Sequence, residues 1–90
     1  MKYDYLIEKK DWSSTDENLI YRLTISERAY LAKRIKYYDG ILIDLSYDKN
    51  DEVRLGVANN PNTPVKVLER MTETDECAEV RAAAKATLKE

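Results

Sequence analysis

The apolar residues of this chain fall into short segments, and the clearest has helical spacing. In PVKVLERM (64–71), Pro64, Val67, Leu68 and Met71 stand at i, i+3, i+4 and i+7, on one face of a helix. Thr63 is a good N-cap for it, and Pro64 suits the first helical position, where its missing N–H costs nothing. Upstream, DEVRLGVANN (51–60) predicts a short helix ending at Asn59 or Asn60. One of these is expected in the left-handed conformation of a C-terminal cap, and Pro61 cannot continue the helical ladder. The stretch reads as helix, sharp corner, helix.

The pattern recurs. LIDLSYDKNDEVRLGVA (42–58) aligns with VLERMTETDECAEVRAAA (67–84), matching Leu45 with Met71 and Glu52-Val53-Arg54 with Glu79-Val80-Arg81. The offset is 26 residues, and 27 after a one-residue insertion in the second copy, within the range of short structural repeats. Shifting back by 26 sets Arg28 under Arg54 and Leu31-Ala32 under Val57-Ala58. SERAYLAKRIKYYDGILIDL (26–45) is therefore a degenerate copy, with Ser26 capping a helix over 27–38 and Asp39-Gly40 making the corner. TDENLIYRL (15–23) predicts a further helix, capped at Thr15, with Leu19, Ile20 and Leu23 on one face. ILIDLSY (41–47) alternates like a strand, but its equivalence to VKVLERM makes it a helix. Tyr3, Tyr5 and Ile7 also alternate, and a lone strand leaves its edges unsatisfied. Residues 1–10 are therefore expected as an extended or capping segment over the first helices, or one that pairs with another chain.

The run D-x4-VR-x3-A-x-NP-x-TP-x3-L from Asp48 to Leu68, with the partial return EVRAAA, resembles the leucine-rich repeat variant, a HEAT-like helical repeat. The resemblance covers about 39–90. It implies an all-α fold: a short HEAT-like α-solenoid of two to three helical repeats. The single domain 1–90 would comprise an N-terminal cap (1–14), a degenerate helical repeat (15–38) and two variant repeats (39–90). Many members of that family are scaffolds without chemistry. One type carries an iron–sulfur cluster on a separate cysteine-rich segment; no such segment stands in this sequence, so the cluster is not carried over.

Composition narrows the chemistry. The chain has 90 residues, 36% of them charged and 43% hydrophobic, with a formal net charge of −2. Residues 1–40 hold eight basic and seven acidic side chains and residues 41–90 hold seven and ten, without the basic excess of a dedicated nucleic-acid binder. With no histidine and Cys77 alone, an intrachain disulfide and the usual zinc sites are excluded. Gly40 and Gly56 are the only glycines, so there is no phosphate-cradling loop, and no cofactor is implied. The apolar runs are too short to span a membrane and the N-terminus is too charged for a secretory signal, so a cytoplasmic chain is expected.

Cys77 shares a helical face with Val80, Ala84 and Leu88 and is expected as a small buried hydrophobe, its thiol kept inert by Asp75, Glu76 and Glu79. Asp44, Asp48, Asp51 and Glu52 lack the loop glycine and closing glutamate of a calcium hand, and read as caps and helix-dipole partners. Arg54 and Arg81 are expected to bridge to acidic turn residues of the neighbouring repeat.

On the expected helix 27–38, Tyr30, Arg34 and Tyr37 stand beside the core stripe at i, i+4 and i+7, flanked by Lys33 and Lys36. Tyrosine and arginine are enriched in binding hot spots. All seven tyrosines and Trp12 lie within the first 47 residues. The sequence thus points to a non-enzymatic protein-interaction module or small adaptor that meets a protein partner at Tyr30, Lys33, Arg34 and Tyr37. The competing readings are tyrosines packed between helices and a nucleic-acid module using the same Lys/Arg/Tyr patch. The alanine-rich last helix, with Ala82, Ala83, Ala84 and Ala86, suggests a homodimer contact. No residue set for a named reaction is present.

Overall fold

Three pairs of helices stand side by side in the computed structural model, which describes residues 2–90. The helices are α1 (Ser14–Arg22), α2 (Ile25–Ala32), α3 (Asp39–Leu45), α4 (Asp51–Ala58), α5 (Val65–Thr74) and α6 (Ala78–Leu88), preceded by a 3-10 turn over Asp4–Leu6. No strand occurs among the described residues. The described residues are all-α, in an arrangement compatible with the short helical-repeat solenoid that the resemblance implied, and α1 and α2 precede the two clear copies. The second helices form a row with α4 packed between α2 and α6, while α3 packs on α4 and α5 on α6. ILIDLSY is helical, and Ile41, Leu42 and Leu45 are its buried face.

Three helix starts, those of α1, α2 and α4, are set by side-chain caps, two of them away from the expected positions. Ser13, not Thr15, caps α1 through a box with Asp16, and Thr24, not Ser26, caps α2 through a box with Glu27. Both have the acidic residue three positions on that can return the hydrogen bond to the cap. Asn50 caps α4 by accepting from the Glu52 N–H at 2.8 Å.

The NPNTP corner works differently from the expectation. Thr63 does not cap α5; its buried hydroxyl donates to the Val57 carbonyl at 2.8 Å, and Pro64 is itself the N-cap residue with ψ 140°. Nor is there a left-handed cap: Asn59 is right-handed at φ −89°, and no residue described has positive φ. Instead the fully buried Asn60 reaches across to the preceding pair, where its amide donates to the carbonyls of Ala32 (2.9 Å) and Ile35 (2.8 Å).

Those contacts also help to end α2 at Ala32, with Lys33 as its C-cap, instead of letting it run to residue 38. The Ala32 and Ile35 carbonyls are taken by Asn60, and the Lys36 N–H bonds to the Ile7 carbonyl at 3.0 Å. Asp39 and Gly40 consequently open α3, and the corner is made by residues 33–38.

One hydrophobic cluster runs through all three pairs, from Leu6 and Ile20 to Val80 and Ala84. Residues 2–12 act as a cap and not as a strand: Leu6 is fully buried, Trp12 packs on Tyr38 with ring centroids 5.2 Å apart, and Lys9 pairs with Asp16 at 2.6 Å. No helix among the described residues is long and apolar enough to cross a membrane.

Candidate functional site

The second helices share one numbering of positions, counted from their N-cap residues Thr24, Asn50 and Cys77. Four residues on stand Arg28, Arg54 and Arg81; six on stand Tyr30, Gly56 and Ala83; eight on stand Ala32, Ala58 and Lys85; ten on stand Arg34, Asn60 and Thr87. The tenth position staples one pair to the previous one. Thr87 donates to the Ala58 carbonyl at 2.6 Å as Asn60 does to Ala32. The sixth position governs approach: a Cβ on Gly56 would lie 2.7 Å from the backbone oxygen of Ala29.

Tyr30 and Arg34 thus occupy the positions at which Gly56 and Asn60 approach the preceding pair. With no earlier pair there, they meet the N-terminal cap. The Tyr30 hydroxyl bonds to Asp4, and that bond, helped by burial, raises the phenol above its ordinary 10.0. Arg34 stacks on the Tyr30 ring at 3.8 Å and donates to the Tyr30 carbonyl at 2.9 Å. Tyr30, Lys33 and Arg34 come together in a concavity of about 410 Å³, opposite Glu52, Leu55 and Asn59 of α4. Tyr37 is outside this group. Because α2 ends at Ala32, Tyr37 is half-exposed in the corner with the Lys10 ammonium 5.0 Å from its ring. Tyr38 belongs to the packing against Trp12, and a hydrogen bond with Glu17 raises its phenol.

The fourth-position arginines form a ladder. Arg54 is buried, with Nε 3.0 Å from Asp75 of the next pair and Nη1 on the Asp48 carbonyl at 2.8 Å. Arg28 repeats the ion pair with Asp48 at 3.0 Å, although its Nε is not aligned for a hydrogen bond. Arg81 departs from the expectation: it donates to the Asp75 carbonyl in its own pair at 2.6 Å. Cys77 is the half-buried N-cap of α6 and not a residue of the helix face, and its N–H donates to Asp75 at 2.9 Å. It borders a concavity of about 230 Å³ with Asp51, Glu52, Leu55, Glu79 and Val80.

The acidic residues disperse into structural roles. Asp44 interacts with Tyr21, Asp48 pairs with Arg28, and Asp51 and Glu52 open α4. No group of three or more His, Cys, Asp or Glu that could hold a metal occurs among the described residues. Sequence reasoning missed a second aromatic surface. Tyr21 and Tyr47 are 48% and 66% exposed and border two concavities, of about 440 and 350 Å³, that share Tyr47, Asp48 and Lys49. Arg70 stacks on Tyr47 at 4.1 Å and donates to the Ser46 hydroxyl. The signal for it was the 26-residue spacing of the two tyrosines.

The Arg54–Asp75 rung and the NPNTP corner fall inside one segment that a family model matches. The family model described as leucine rich repeat variant matches residues 51–76. This segment is similar to the variant repeat of a HEAT-like helical family. The match opens at the first residue of α4 and closes in the turn before α6, so the variant repeat contains both partners of the buried rung and the Asn60 staple. α2 and α6, outside the matched segment, carry residues at the same counted positions. No curated protein and no solved structure matches the chain.

Proposed function

We propose that this chain is a non-enzymatic protein-interaction module, a small adaptor whose variant-repeat scaffold forms one domain and presents the face of α2 and α4 to a protein partner. The observation that carries this reading is the concavity in which Lys33, Arg34 and Tyr30 face the half-buried Leu55. Arginine and tyrosine at the rim of an apolar floor are what protein interfaces use. Glu52 in the same concavity and the net charge of −2 work against phosphate-rich partners. Tyr37 joins this site only if a partner spans the corner, and its exposed ring is available for that. A cytoplasmic location is part of the same reading. A second copy stacked on α6 would bury Lys85, where the first two pairs have the fully buried Ala32 and Ala58, so the homodimer is the weaker part of the partner expectation.

The test is capture of partners from a cell lysate, with and without nuclease. Lys33→Ala/Arg34→Ala is compared with Lys66→Ala on α5, leaving Tyr30 intact because it anchors the cap. A protein that survives nuclease and is lost only with the first variant is the expected result. Recovery of nucleic acid through Lys33 and Arg34 would overturn the reading.

A further inference from the structure

The two concavities on the second-helix row adjoin at Glu52 and Leu55, which line both, and taken together as one groove they would lead from the C-terminal end of α2, over α4, to the N-terminal end of α6. Its ends differ in sign. Lys33 and Arg34 are exposed at the first end, Asp51 and Glu79 are exposed at the other, and the exposed Glu52 stands between them and lines both concavities. Helix dipoles favour bases at the end of α2 and acids at the starts of α4 and α6, and that accounts for the charges one by one. It does not account for the middle: the fifth position is Ala29 in α2 and Ala82 in α6, but Leu55 in α4, a large side chain left half-buried between the two charged ends.

We infer that this groove takes an extended peptide of mixed charge, with acidic side chains on Lys33 and Arg34, basic side chains on Glu52 and Glu79, and a small apolar residue over Leu55. The inference rests on the proposed interaction function and names the class of partner. The occupant follows from charge complementarity along a defined length. Two interhelical steps of about 8–10 Å, with a diagonal offset of about 11 Å along the helices, give a path of roughly 20 Å. An extended chain covers that in about six or seven residues.

The experiment selects binders from a random dodecapeptide library displayed on phage, using the intact chain. The two best peptides are then measured by fluorescence anisotropy against Lys33→Glu/Arg34→Glu and Glu52→Lys/Glu79→Lys, both first shown to be helical by circular dichroism. Enriched peptides should carry an acidic and a basic group about five to seven positions apart. Each charge reversal should weaken binding at least about tenfold, and the peptide with the matching end reversed should bind its variant again. Enriched peptides without that separation, binding indifferent to both reversals, or no enrichment would each overturn the inference. Capture of a folded protein through Lys33 and Arg34 alongside a failed peptide selection would also overturn it, while leaving the interaction module in place.

Discussion

Arg54 and Asp75 have side chains only 9% and 5% exposed and lie 3.0 Å apart. Removing either leaves the other charge buried, and such losses amount to about 3–5 kcal/mol. Asp75→Ala is therefore expected to lower stability by that order in urea unfolding, with little dependence on salt. The Lys36–Glu8 pair, 43% and 71% exposed, is the contrast: Glu8→Ala should change stability by less than about 1 kcal/mol and only at low salt. Asp16 carries an acid-side prediction. Its hydrogen bonds to Lys9 and then to the Ser13 N–H hold its carboxyl below the ordinary 3.8. The folded state then binds fewer protons than the unfolded one in that range, so its contribution is full above the unfolded value and is lost as pH falls through the folded one. Asp16→Asn should flatten that part of the acid limb in unfolding midpoints measured against pH. The acidic role of Asp75 was legible because the repeat alignment put acids in both turns. The Arg28–Asp48 rung was not, because the first copy is too degenerate to show which acid its arginine would reach.

Among the elements, α4 depends on a close approach that no periodicity reveals. Gly56→Ala should gain about 0.5–1 kcal/mol of helix propensity but place a methyl 2.7 Å from the Ala29 backbone oxygen. Backbone cannot yield as a side-chain tip can, so overpacking of about 1–3 kcal/mol is expected to dominate. A lower thermal midpoint for this variant is the check; a higher one would show that α2 and α4 separate freely. The corner is the second case. Two prolines and two asparagines marked it in the sequence, but the bonds that close it run to α2, 25 and 28 residues away. Asn60→Ala should lose about 2–4 kcal/mol, since two buried carbonyls lose their donor, and faster amide exchange at the end of α2 would locate the damage. The helix expected over 27–38 failed for the same reason: its last turn gives its hydrogen bonds to Asn60 and Ile7.

At the scale of the molecule, the two ends of the solenoid are closed by different means. Repeat arrays need capped end faces. The first end is covered by residues 2–12, with Leu6 entering the core and Asp4 holding Tyr30. The last end exposes Lys85 and Ala86 on α6. A monomeric mass by light scattering is expected for the native chain, with Lys85→Leu increasing self-association. A native dimer that this substitution leaves unchanged would place the contact elsewhere. On the proposed reading, the row between these two ends is the surface offered to a partner.

Sequence alone determined the repeat, its helical class and the two clear pairs, because apolar periodicity, proline corners and the VR dipeptide act within about ten residues. It also marked Tyr30, Lys33 and Arg34, which are neighbours on one helix end. What tertiary structure decided was where α2 stops, why Asn60 is buried, that Tyr37 parts from Tyr30, and that Glu52 lines the same concavity as Lys33. Each depends on contacts between residues far apart in sequence, those between α2 and α4 made possible by the absent side chain at Gly56, and no local pattern encodes which distant carbonyl a buried amide will meet.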